Sequence, residues 1–211
     1  SGDVVNWVKI IGGNESDCVN DVQVDSLNDD SIFIAGYVSG NIEDIDGLPI
    51  VTYGTLDSFV AKLNRLGTTQ WVKRVSGYIT FDNAGMAWAV DGTLLISGIF
   101  ASSATAGTFT VTSSSPFEGF LLNMDTSGNF VSLSKTSTSP STESTILNRI
   151  AVASSGDYYI VGRISGTITL GSVTTTSNGD DDMFVAAYQT YMCYGKAESA
   201  GDVCSGHGTC I

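Results

Sequence analysis

The residues best equipped for chemistry are four cysteines and two clusters of carboxylates. Cys193, Cys204 and Cys210 read C-x10-C-x5-C near the end of the chain, and Cys18 stands alone near its start. No C-x2-C pair is present, so the spacing is not that of a zinc site. Disulfide formation is the chemistry left, and it suits an extracellular protein. The run NIEDIDG at 41–47 carries Asp44 and Asp46, and Asp180-Asp181-Asp182 precedes a strand-like segment. Closely spaced carboxylates are the oxygen donors that Ca²⁺ takes. Asp44 with Asp46, and Asp180 with Asp182, are therefore candidate cation sites. Neither matches an EF-hand loop, and solvated acidic turns are the alternative. No other cofactor is expected. Asn14-Glu15-Ser16 is an N-glycosylation sequon, which makes Asn14 either a sugar acceptor or a plain polar turn. The single histidine, His207, lies between two glycines inside CSGHGTC. No G-x-S-x-G elbow, H-E-x-x-H motif or glycine-rich phosphate loop appears, and no carboxylate pair is singled out for glycoside hydrolysis. The chain is not expected to be an enzyme.

The elements that position these residues follow from composition and repetition. The 211 residues are 42% hydrophobic but only 15% charged, with 24 glycines. That balance suits short strands and turns better than long helices. The net charge of −13 argues against nucleic acid and anionic lipid surfaces as partners. No apolar run approaches the roughly 18 residues that span a bilayer as a helix.

Asp57 to Lys73, DSFVAKLNRLGTTQWVK, reads as two strands around a turn at Gly67. Glu118 to Phe130 repeats it, with Phe120 for Phe59 and Gly128 for Gly67. Asp182 to Thr190 is its first strand alone, and Asn6 to Lys9 its second strand alone. IFIAG, LLISG and YYIVG, ending at Gly36, Gly98 and Gly162, keep the same period of about 62 residues, which marks a repeat architecture. GTFTV at Gly107 and GTITLG at Gly166 add a third landmark, with GNIEDI at Gly40 as a weaker counterpart. Three repeats result, roughly 1–63, 64–125 and 126–190, with a boundary before a cysteine-bearing segment, 191–211. Strands are expected at Val4 to Ile11, Val19 to Asp25, Ile32 to Val38, Met86 to Val90, Thr93 to Phe100, Thr108 to Thr112, Ile146 to Ala153 and Tyr158 to Ile164. Ala101 to Ala106 and Thr136 to Thr145 are expected to be loops, and Leu133 to stand at the tryptophan position of the third copy.

The repeats resemble those of the bacterial-type seven-bladed β-propeller family (SBBP). The likeness rests on D-x-F-V-A-K-L-N-x-x-G-x-x-x-W at Asp57 to Trp71, on the strands ending in I-x-G, and on GTITLG at Gly166. It implies antiparallel blades of about four strands on cell-surface or secreted proteins. VCSGHGTC, Val203 to Cys210, resembles the first half of an epidermal-growth-factor-like module. That resemblance implies a Cys193–Cys210 disulfide, and it leaves Cys204 with Cys18 as the available partner, in the same or a neighbouring chain. The expected fold class is thus all-β: three antiparallel propeller-type blade repeats in 1–190 and a small disulfide-bonded segment in 191–211. Propellers close with four to eight blades, so three repeats imply further blades outside the sequence or repeats that do not close into a ring.

Two functions fit this reading. One is an extracellular or cell-surface scaffold that self-assembles. The other is a surface module that binds a glycan or a protein, with Ca²⁺ as a possible requirement. For the first, the half-hairpins at the two ends are complementary. Val4, Val5, Trp7, Val8 and Ile10 form a strand without its partner, and Phe184, Val185, Ala186 and Tyr188 form the matching partner strand. Pairing between molecules by strand addition would give a homo-oligomer or a head-to-tail filament.

Overall fold

The computed structural model of the protein describes residues 2–39, 42–51, 56–190, 192–193 and 196–197, with backbone alone over 42–44, 51, 78–84, 192–193 and 196–197. The described residues contain strands and turns and no helix, so the chain is all-β as expected. In order the strands are β1 (Cys18–Asp25), β2 (Ser31–Val38), β3 (Ile42–Ile45), β4 (Leu48–Val51), β5 (Asp57–Leu63) and β6 (Thr69–Trp88). There follow β7 (Leu94–Ala106), β8 (Phe109–Thr112), β9 (Glu118–Met124), β10 (Phe130–Lys135), β11 (Ser137–Ser139) and β12 (Thr145–Val152). The last are β13 (Tyr158–Ile164), β14 (Thr167–Leu170), β15 (Val173–Thr176), β16 (Asp182–Tyr188), β17 (Met192–Cys193) and β18 (Lys196–Ala197).

One antiparallel pattern occurs three times. In the first unit β1, β2, β5 and the start of β6 align Val22, Ile34, Ala61 and Val72 in a cross-strand row. In the second, the end of β6 with β7, β9 and β10 aligns Met86, Ile96, Leu122 and Leu133. In the third, β12, β13 and β16 align Ile150, Ile160 and Ala186, and among the described residues no strand lies beyond β16. β6 serves two units, so the first two join in one eight-stranded sheet. The fourth strand of a unit therefore comes from the next sequence repeat.

The I-x-G landmark has a packing reason. β-Bulges between Val19 and Asp21 and between Leu147 and Arg149 push the inner strand over its neighbour. A Cβ on Gly36 would lie 1.9 Å from the Cys18 carbonyl oxygen, and one on Gly162 would lie 2.2 Å from that of Ile146. A side chain does not fit at either place.

The units stack through apolar faces. Phe33, Val60, Met86, Leu94, Phe100 and Phe120 are buried between the first and second. Phe33 takes Trp71 and Trp88 edge-on, at 5.8 and 5.1 Å between ring centres. Such aromatic pairs add about 0.5–1.5 kcal/mol to what area burial supplies. Asp21 and Gln23 of β1 bracket Met86, accepting from its N–H at 2.6 Å and donating to its carbonyl at 3.0 Å. Leu95, Leu147, Ile150 and Ile160 form the smaller core between the second and third units. On its far face the first unit buries Ile34, Phe59 and Leu63 under Ile45 and Ile50 of the β3–β4 hairpin, with Ile11 packed alongside.

Several expectations are corrected. Val4 to Ile11 is not a strand: it has no ladder pairing and is held by side chains instead. Residues 101–106 continue β7, and Ser103 to Ala106 pair with β8, because a small-residue run is no obstacle to a hairpin arm. The expected loop at 136–145 includes β11, paired to β14. Ser132, not Leu133, holds the tryptophan position. Lys62 faces Trp71, and its equivalent Asn123 faces Ser132, because a bulge shifts each register by one. The third landmark is also out by one arm. The equivalent turn glycines are Gly47, Gly107 and Gly171, between β3 and β4, β7 and β8, and β14 and β15.

Candidate functional site

The candidate site consists of two surfaces: the N-terminal segment lying against the first unit, and the open face and edge of the third.

The N-terminal segment is held by side chains. Trp7 Nε1 donates to the Arg65 carbonyl at 3.1 Å, and its indole lies over the turn glycine Gly67, where a Cβ would come within 3.0 Å of the ring. Lys9 Nζ donates to the Gly67 carbonyl at 3.1 Å and pairs with the Asp46 carboxylate. Asp46 also accepts from the Thr69 N–H at 2.9 Å. The lysine, with the bonds from Thr69, holds the Asp46 carboxyl down at about 2, well below the usual carboxylate range. Around these anchors Val4, Val5, Val8 and Ile10 are exposed, at 79, 77, 81 and 94%. Trp7 itself is 40% exposed.

The contact is a repeat of one inside the fold. Trp71, on the outer strand of the first unit, lies over Gly128, the turn glycine of the second, and Lys73 reaches the same turn. Trp7 and Lys9 thus stand to the first unit as Trp71 and Lys73 stand to the second. The segment occupies the place of an outer strand of a sheet preceding the first unit.

The third unit supplies the opposite half. The pairing rows make Phe33, Ala35, Ser58 and Val60 of the first unit equivalent to Tyr159, Val161, Met183 and Val185. The former are 0% exposed, under the second unit. The latter are 43, 38, 93 and 74% exposed. Phe184, Ala186 and Tyr188 are half-buried on the other face, where Phe184 and Tyr188 join the core shared with the second unit. Tyr188 stacks on Tyr158 with ring centres 4.6 Å apart. Burial, and then the neighbouring Tyr188, pushes the Tyr158 hydroxyl up to about 12; burial raises that of Tyr188 as well.

The other sequence candidates are scattered. Asp46 is engaged by Lys9, and the Asp44 side chain lies outside the described residues. Asp182 is the counterpart of Asp57 and Glu118, the acids that open β5 and β9. Those two are buried and paired across the sheet with Arg74 at 3.5 Å and Lys135 at 2.5 Å. Asp182 instead accepts from the Asn178 N–H at 2.5 Å, and Asp180 is exposed. Among the described residues no three acidic, histidine or cysteine side chains converge on one point. Asn14 lies exposed in a bend. Cys18 opens β1 with a free, half-buried thiol. The side chain of Cys193 and the whole of Cys204 and Cys210 lie outside the described residues.

The acid–cation pairs Asp57–Arg74 and Glu118–Lys135 were missed in the sequence. Their signal was present: an acid two residues before the repeated Phe, and a cation at matching positions of the next strand. Among the described residues no helix is long and apolar enough to cross a membrane. No family model and no curated protein matches the chain.

Proposed function

We propose that this chain is a structural subunit of an extracellular or cell-surface assembly, joined head-to-tail by strand addition between copies. The observation that carries this is the paired geometry of Trp7 on Gly67 and Trp71 on Gly128. A segment seated as Trp71 and Lys73 are seated takes the place of an outer strand, and an outer strand calls for a sheet beside it. The third unit has a sheet of the right kind, without its outer strand among the described residues and with its stacking face uncovered. Unpaired strand edges and uncovered apolar faces recruit partners.

The register follows from β5 and β6, where Lys62, Ala61 and Val60 face Trp71, Val72 and Lys73. Transferred to the contact between copies, Ala187, Ala186 and Val185 of one face Trp7, Val8 and Lys9 of the next. Each subunit offers one such end, so the contact is heterologous; where the rotation between copies does not close, it grows into a filament. The blade-like repeats and the cysteine signature, both resemblances, support the extracellular setting. The reading is of a building element and assigns no reaction.

The test is sedimentation and negative-stain imaging of the chain and of two variants. The chain should form polymers. Deleting residues 1–10, or replacing both Met183 and Val185 with Lys, should leave discrete particles with unchanged strand content. Polymers that survive both changes, or a chain that stays monomeric at high concentration, would overturn the proposal.

A further inference from the structure

A cleft between the second and third units marks where the repeat departs from itself. At the preceding junction Phe33, Lys62, Trp71 and Lys73 crowd together, with Lys62 Nζ 5.4 Å from the centre of the Phe33 ring. At the next junction the equivalent positions are Leu95, Asn123, Ser132 and Ser134. Each replacement is smaller, and together they open a cleft of about 370 Å³. That lies within the roughly 300–1,000 Å³ of small-ligand sites.

The lining has two characters. Leu95, Leu121 and the edge of the Tyr158–Tyr188 stack give an apolar wall. Asn123, Ser132, Ser134 and Gln189 give a polar rim. Asn123 Oδ1 is buried and finds no hydrogen-bond partner among the described residues. An amide oxygen in that state is destabilising until a donor reaches it. The best ligand is therefore ring-shaped, with one apolar face and donors around its edge.

We infer that this cleft is a binding site for a single pyranose residue of a glycan. The C–H face of the sugar would lie on the Leu121–Tyr158 wall. With its amide turned toward the cleft that it lines, Asn123 would accept from a ring hydroxyl, and the serine hydroxyls and Gln189 amide would serve the remaining hydroxyls. An indole, which the cleft is the right size to hold, has one N–H and would leave the polar rim without partners. The cleft adjoins the assembly edge at Tyr188 but does not use the exposed face at Tyr159, Val161, Met183 and Val185, and the inference stands or falls without the assembly.

The probes are the methyl glycopyranosides of glucose, galactose and mannose, with free indole as comparison, titrated into the labelled chain carrying Met183→Lys and Val185→Lys, which keeps it discrete, and followed by amide NMR. At least one glycoside should give saturable shifts centred on Leu95, Asn123 and Tyr158. Ser132→Trp should fill the cleft and abolish those shifts. Asn123→Leu, which removes only the acceptor, should weaken binding at least tenfold while leaving the unfolding midpoint close to that of the parent. If no glycoside saturates at these residues, if indole binds and the sugars do not, or if Asn123→Leu binds as the parent does, the inference is wrong.

Discussion

The Trp71 indole lies flat against the turn at Gly128, where a β-carbon would come within 3.1 Å of the ring. Gly128 has φ of 86°, so the position excludes a side chain twice, by backbone conformation and by contact. Gly67, at φ 82°, is placed the same way under Trp7. Gly128→Ala should destabilise the chain by about 1–2 kcal/mol from backbone strain alone, read as a lower urea midpoint. Gly67→Ala should carry a similar backbone cost and a second signature, a red shift of Trp7 fluorescence as the indole is displaced.

The seat of the N-terminal segment should loosen in acid. Lys9, with Thr69, depresses the Asp46 carboxyl to about 2. A depressed carboxyl contributes its stabilisation above its unfolded value, near 3.8, and loses it as pH falls through the folded one. Trp7 fluorescence should therefore change between about pH 4 and pH 2. Asp46→Asn should show the loosened signal already at neutral pH. A Trp7 signal that is flat across that interval would contradict the Lys9–Asp46 anchor.

At the other end of the scale, stability should fall in alkali. The Tyr158 hydroxyl is raised to about 12 by burial and by Tyr188. A raised tyrosine contributes stability fully below the unfolded value near 10 and loses it as pH rises through the folded value. Denaturant midpoints should decline from about pH 10 to pH 12. Tyr158→Phe should flatten that decline.

Phe33 should be the most costly aromatic to truncate. It is fully buried and touches Trp71, Trp88 and Lys62. Phe33→Ala should cost about 3–5 kcal/mol. The same truncation of its counterpart, Tyr159→Ala, should cost far less in isolated subunits, since that side chain is 43% exposed. Paired urea titrations would check the contrast.

Much of this fold was readable because its signals are local. DSFVAKL, EGFLLNM and DMFVAAY alternate at strand period and became β5, β9 and β16. The tryptophan equivalence of Trp7 and Trp71 was readable from the shared WVK. What failed had different causes. The tryptophan position was within reach: Trp71 stands four residues after Gly67 and Ser132 four after Gly128, and both hairpins carry the same bulge, so it was the apolar character of Leu133 that misled. Val4 to Ile10 has strand residues, but a strand exists only beside another. The cleft at Ser132 was invisible because it, too, depends on partners. It is defined by which side chains face one another across the junction, and that depends on the register.

β6 runs on from the last strand position of the first unit to the first strand position of the second. The length of chain that is copied in the sequence is therefore not the length that packs. A duplicated segment begins in one sheet and ends in another, so every added copy must borrow its last strand from whatever follows. Growth by duplication thus always leaves one strand owed at one end and one in surplus at the other. Any lineage of such repeats has to settle that account with each length change, by ring, by cap or by neighbour.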